Sequence, residues 1–168
     1  MNALLGHHAT KLTVLAIPCD QFGHQEPGAN ATEILNGLHF VRPGGGFTPH
    51  RDLQLMAKAD VNGANQMPLY TFLKDACPPP SAGVFNPRES FWQPIKISDL
   101  VWNFEKFILS PTGVPLFRFR PEVEPLDIEE VLTALFEPVV DLTAQRRRLS
   151  RLLQDVDQRV MARAGSSR

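Results

Sequence analysis

The chain has 168 residues, 43% of them hydrophobic and 21% charged, which is enough for one domain with a sizeable core. Its 17 Lys+Arg balance 18 Asp+Glu to a formal net charge of -1, so nothing in the composition favours nucleic acid or an anionic membrane as partner. The best apolar run, Leu12 to Ile17, is strand-sized rather than membrane-spanning, and the fifteen prolines argue against a long helical bundle.

In chain order, Met1 to His8 reads as the tail of a helix with Gly6 as its stop. Lys11 to Ile17 is a continuous apolar run, expected as a strand buried on both faces. A polar loop follows, Gln21 to Gly28. Asn30 and Glu33 form a capping pattern for a short helix with Ile34, Leu35 and Leu38 on its apolar side. Pro43 to Gly46 breaks structure, and Asp60-Val61-Asn62-Gly63 offers a tight turn. Pro68 suits the first position of a helix to about Ala76 that buries Leu69, Phe72 and Leu73. Cys77 to Trp92 is a Pro-rich loop. Asn103–Leu109 and Val114–Phe119 read as a hairpin closed by Ser110-Pro111-Thr112-Gly113. Asp127 caps a last core helix with Ile128, Val131, Leu132, Leu135 and Phe136 at helical spacing. This order predicts a three-layered α/β domain over residues 1–137. Residues 138–168 form a second region, an amphipathic helix with Leu142, Leu149, Leu152, Leu153, Val156 and Val160 inward, expected to dock on the surface. A coiled coil of fewer than three heptads is the weaker alternative. Arg146, Arg147, Arg148 and Arg151 face solvent, and Arg163 to Arg168 is frayed.

One segment concentrates chemistry. The first strand delivers Pro18-Cys19-Asp20-Gln21-Phe22-Gly23-His24-Gln25-Glu26-Pro27-Gly28 at its carboxyl end, where α/β proteins bind ligands. This loop holds a thiol, an imidazole and two primary amides, which donate hydrogen bonds to an anion without carrying charge. Trp102-Asn103 supplies a second amide beside an indole. Gly44-Gly45-Gly46 lacks the Gly-Lys-Ser/Thr of a phosphate loop. The five histidines show no metal-ligand spacing, and Cys19 and Cys77 form neither a C-x-x-C pair nor part of a Cys/His set, so no metal is expected. Asn30-Ala31-Thr32 is formally a glycosylation sequon, but capping explains Asn30 better.

The run Ile17 to Gly28 resembles the signature loop of the glutathione peroxidase family at nearly every position. Val41-Arg42-Pro43-Gly44-Gly45-Gly46-Phe47, Asp60-Val61-Asn62-Gly63 and Trp102-Asn103-Phe104-Glu105-Lys106-Phe107 match three further family blocks in family order. The resemblance implies a thioredoxin-like three-layer sandwich and the reduction of hydrogen peroxide or organic hydroperoxides by a thiol, usually glutathione. By motif the family's donors around the reactive atom fall on Gln25, Trp102 and Asn103. Arg42 matches a family arginine near the glutathione carboxylates. The family's paired arginines after the hairpin are replaced by Pro121 and Glu122, with Arg118 and Arg120 close by as weaker candidates.

The family's nucleophile, a cysteine or selenocysteine, precedes the helix whose tail resembles Met1 to Leu5. The fold is therefore expected without its first strand, as from a reading frame restarted at Met1 after a selenocysteine codon. Loss of that strand should strip Lys11–Ile17 of ladder partners along one edge. Phe47 to Ala59 lacks the resolving cysteine of the thioredoxin-using branch, and the long Cys77–Trp92 loop resembles the oligomeric, glutathione-using branch. Glutathione is thus the expected co-substrate, no further cofactor is implied, and a homo-oligomer is the expected assembly. A non-catalytic peroxidase-like subunit, assembling through Cys77–Trp92 and Leu142–Val160, is the competing reading. The resemblance leaves cytoplasm and secretion equally open. Cys19 is expected to be a buried structural thiol.

Overall fold

A computed structural model describes residues 1–80, 86 and 88–166. The described helices and strands, in chain order, are α1 (Asn2–His7), β1 (Val14–Ala16), α2 (Ala31–Asn36), β2 (Leu53–Leu55), α3 (Pro68–Ala76), β3 (Lys106–Leu109), β4 (Pro115–Phe119), α4 (Glu129–Phe136) and α5 (Leu142–Ser166). A π-helical turn, Gly37–Val41, extends α2, and a 3-10 turn, Pro125–Ile128, leads into α4. The architecture is the expected mixed α/β with a C-terminal helix. Its residues gather into two compact units, Val14–Pro121 and the two chain ends, Met1–Thr13 with Glu122–Arg168.

In the unit Val14–Pro121 the strands make two separate two-stranded sheets. β1 runs parallel to β2 in the register Val14↔Leu53, Leu15↔Gln54, Ala16↔Leu55. β3 and β4 are antiparallel, with Lys106 opposite Phe119 and an irregularity at Ile108/Leu109. Among the described residues β1 thus has a ladder partner on one edge only. The sequence expectation of a strand buried on both faces is not met: β1 covers three residues, and Leu15 is 56% exposed. β2 was not anticipated; its Leu53 and Leu55 alternate around an exposed Gln54 over too short a run to stand out.

The core of this unit joins Cys19, Phe22, Val61, Trp92 and Leu100, with Tyr70, Trp102 and Phe107 packed against it. Running through it is a polar network. Lys74 Nζ donates to Asp99 Oδ1 at 2.9 Å, Val61 O at 3.1 Å and Asn62 Oδ1 at 3.2 Å, and also to Gln66 Oε1. Asp99 in turn accepts from the Trp92 indole N–H at 2.9 Å and the Lys96 N–H at 2.8 Å. Both ionised groups are buried, and every bond they make compensates water lost. Pro68 opens α3 as expected, but Phe72 faces solvent at 50% exposure and Lys74 takes an inward position instead. On α2, Asn30 caps through Glu33 N–H at 3.0 Å, while only Ile34 is buried and Leu35 is exposed.

In the unit of the chain ends, Ile128, Val131, Leu132 and Ala134 are buried together with Leu4, Leu5, Val156 and Val160. α4 begins at Glu129, two residues beyond the expected cap, because Pro125–Ile128 winds as a 3-10 turn with Asp127 accepting the Glu124 N–H at 2.8 Å. Asp141 caps α5 through the N–H groups of Thr143 and Ala144 at 2.8 and 3.1 Å. α5 packs on α4 and the 3-10 turn as a docked helix, and it continues through Arg163 to Ser166 rather than fraying there. Arg163 makes an ion pair with Asp127, and Arg159 one with Glu130, which ties down this last stretch. Gly6 lies inside α1, and His8 ends it. The Cys77–Trp92 loop lies partly outside the described residues.

Candidate active-site loop

The loop after β1 owes its shape to buried anchors. Gln21 is buried; its Oε1 accepts the N–H groups of Val61 and Asn62, both at 3.0 Å, and its Nε2 donates to Asn62 O at 3.0 Å. Phe22 follows into the core, edge-on to Trp92 at 5.3 Å and tilted to Trp102 at 5.9 Å. Gly23 (φ 62) and His24 (φ 49) then adopt left-handed conformations and turn the chain back, so that the Gln25 N–H reaches Phe22 O at 3.3 Å. A Cβ on Gly23 would stand 3.5 Å from the Trp102 ring and 3.6 Å from Gln25 Cγ, so the indole and the Gln25 side chain flank this glycine closely.

Asn103 completes the group. Its Nδ2 donates to Gln25 Oε1 at 2.9 Å. Asn103 is not on the strand, as the hairpin reading had it; it lies in the turn before β3, and that turn is braced on both sides. Leu100 N–H donates to Asn62 Oδ1 at 3.0 Å, and Val101 N–H to Glu105 Oε1 at 2.6 Å. Glu105 is fixed in turn by Arg118 Nε at 2.7 Å. Gln25 and Asn103, 78 residues apart in sequence, are thus brought together, with Trp102 beside Gly23.

The three arginines fare differently. Arg42 is exposed, its backbone N–H bonded to Gly37 O at 2.9 Å. Arg118 does not suit substrate binding: its guanidinium is buried and spent on Glu105, Ser98 O at 3.0 Å and Asp99 O at 3.1 Å, over the Phe107 ring. Arg120 follows β4, half-buried, with its carbonyl accepting from Lys106 Nζ at 2.9 Å.

Neither cysteine is built as a nucleophile. Burial pushes the Cys19 thiol up, against the backbone hydrogen bonds of Gln21 and Val61 that draw it down. Burial likewise raises Cys77, with Arg118 opposing. Among the described residues no group of His, Cys, Asp or Glu could hold a metal ion. A separate cleft of about 380 Å³ in the unit of the chain ends is lined by His7, His8, Lys11, Glu129 and Phe136 among others, with His7 Nδ1 engaged by Glu129 at 2.7 Å. Sequence reasoning missed the braces Lys74, Asp99 and Glu105, and saw Asn62 only as part of a turn. Nothing in their spacing distinguishes them from surface residues.

Residues 1–74 match the sequence model of the family described as Glutathione peroxidase. Epididymal secretory glutathione peroxidase of Rattus norvegicus is 55% identical over 108 residues, covering 64% of this chain and 48% of the relative. Glutathione peroxidase 3 of Bos taurus is 53% identical over 108 residues, covering 64% and 46%. The crystal structure of T. cruzi GPX1 aligns at a TM-score of 0.46 and 31% identity over 80% of this chain and 67% of that one. The chain therefore resembles the glutathione peroxidase family over part of its length, and it spans about half the length of these curated relatives.

Proposed function

We propose that this sequence forms the donor side of a glutathione peroxidase site, with Gln25, Trp102 and Asn103 serving the cysteine or selenocysteine nucleophile of that chemistry. The observation that carries the reading is the convergence of an amide pair, Gln25 and Asn103, with an indole across Gly23. In this chemistry a thiolate or selenolate attacks one peroxide oxygen, the O–O bond breaks, and the departing oxygen takes up a proton. The sulfenic or selenenic acid that results is reduced by two glutathione thiols in turn, releasing water and glutathione disulfide. The anion is the reactive form, yet a free cysteine ionises only near ~8.5. Hydrogen bonds from uncharged donors to the anion contribute roughly 1.5–3 kcal/mol each, so three such donors lower the ionisation well into the neutral range.

Glutathione as reductant is supported by the absence of a cysteine between Phe47 and Ala59. Arg42, exposed beside the Gly-rich turn, is the proposed partner for a glutathione carboxylate. Reading the transcript upstream of Met1 tests the assignment. An in-frame cysteine or TGA codon within a strand–loop–helix pattern is expected, and an in-frame upstream sequence with neither would defeat it.

A second reading, a non-catalytic subunit acting through assembly, is favoured by one observation. Val139, Val140 and Leu142, just before and at the start of α5, are 57%, 97% and 54% exposed. Both readings include a homo-oligomer, and sedimentation that shows only monomer would count against that assembly.

A further inference from the structure

Both neighbours of Gln25 are held by one carboxylate. Asp20 Oδ2 lies 3.0 Å from His24 Nδ1, and Asp20 Oδ1 accepts the Glu26 backbone N–H at 3.1 Å. The residue between them, Gln25, is the one that meets Asn103. His24 sits at φ 49, a conformation that a residue with a Cβ adopts reluctantly, so something must hold it there. Its ring stacks on Phe91 at a centroid distance of 3.8 Å and an interplanar angle of 29°. The segment carrying Phe91 is itself tied to the loop, through Phe91 N–H to Gln21 O at 3.0 Å and Gly23 N–H to Glu89 O at 2.9 Å. On the far side Lys58 Nζ donates to Glu26 O and, at 3.1 Å, to Gly28 O.

We infer that Asp20 and His24 are positioning residues that aim the Gln25 amide at Asn103. The carboxylate holds the His24 ring and the Glu26 N–H on either side of Gln25 and so orients the backbone from which its side chain projects. An ionised carboxylate suits this task because its two oxygens accept from two donors at once. Neither side chain belongs to the core: the His24 side chain is 59% exposed and that of Asp20 is 30% exposed, so truncating them opens no cavity. The catalytic meaning of this aim rests on the proposed peroxidase reading; the geometric inference does not.

The test is nuclear magnetic resonance of the full 168-residue chain, reading the cross-peak between the Gln25 and Asn103 side-chain amides. Asp20→Ala should abolish that cross-peak while the methyl resonances of Val61 and Ile108 keep their native positions. Asp20→Asn, which retains an acceptor for Glu26 and a donor for the imidazole, should restore it, as a loss of general loop integrity would not predict. His24→Ala should weaken it in the same direction, and serves alone if Asp20→Ala does not fold. A cross-peak of native intensity in Asp20→Ala with an intact core, or in His24→Ala, would overturn the inference. Loss of the cross-peak accompanied by unaltered turnover in an active full-length peroxidase would support the positioning and refute only the catalytic role of Gln25.

Discussion

Asn103 donates its side-chain amide to Gln25 at 2.9 Å, joining the loop after β1 to the turn before β3. Each end of this bond has its own buried support. Gln25 follows a loop pinned by Gln21 to Val61 and Asn62, and Asn103 follows a turn pinned by Asn62 and Glu105. Asn62 serves both: its backbone N–H donates to Gln21 Oε1, its carbonyl accepts from Gln21 Nε2, and its side-chain Oδ1 accepts from the Leu100 N–H. The donor pair is therefore only as well placed as the polar network beneath it, and the first prediction concerns that network.

Removing one member of the Lys74–Asp99 pair should be costly. Asp99→Ala strands a buried ammonium and Lys74→Met a buried carboxylate, with side chains 3% and 0% exposed. Each should destabilise the fold by about 3–5 kcal/mol in urea denaturation, and the double variant by less than the sum of the two. Additive losses would show that the two groups do not act as a pair.

Cys19 and Cys77 should resist alkylation. Both thiols are buried and raised, and the thiolate is the form that reacts. Iodoacetamide at neutral pH should label neither in the native protein and both in urea, followed by mass spectrometry. Rapid native labelling of Cys19 would require an open, ionised thiol and would reinstate it as a candidate nucleophile.

Tyr70 should make the fold sensitive to alkali. Burial first, then the nearby Cys19 and Glu105, push its phenol up to about 12, against an ordinary 10.0. A raised folded value favours the protonated form, so this contribution is fully present below pH 10 and is lost as pH rises through about 12. Thermal denaturation should show a falling melting temperature over that window, shallower in Tyr70→Phe. An identical alkaline slope in the variant would assign the loss to other groups.

Docking of α5 should depend on its valines rather than on its length. Val156 is 1% exposed and Met161 is 60% exposed. Val156→Ala should cost about 2 kcal/mol in denaturant unfolding and Met161→Ala almost nothing. Equal effects would mean that α5 is not docked through this face.

The site was more legible in the sequence than the fold that supports it. Gln25, Trp102 and Asn103 sit in short blocks that resemble the glutathione peroxidase family, and it is that resemblance rather than their spacing that suggests grouping them. Pro68 at the start of α3 and Asn30 with Glu33 at α2 were legible for a local reason, since caps and first-turn prolines act within three or four residues. β1 misled because its apolar run predicts burial that elements packed on both sheet faces must provide, and Leu15 is 56% exposed. Lys74 and Phe72 exchange expected roles on α3 because partners 12 to 25 residues distant, Asn62 and Asp99, decide which face turns inward. Arg118 looked available beside the hairpin because its partner Glu105 lies across the β3–β4 ladder, a pairing that periodicity does not reveal.

The most direct test is glutathione-dependent peroxide consumption by the protein encoded by the whole transcript, comparing it with its Gln25→Ala and Trp102→Phe variants. The account predicts that the unaltered protein turns over and that each variant loses most of that activity while remaining folded. Unchanged turnover in both variants, or no turnover in a protein that carries an upstream cysteine or selenocysteine, would contradict it.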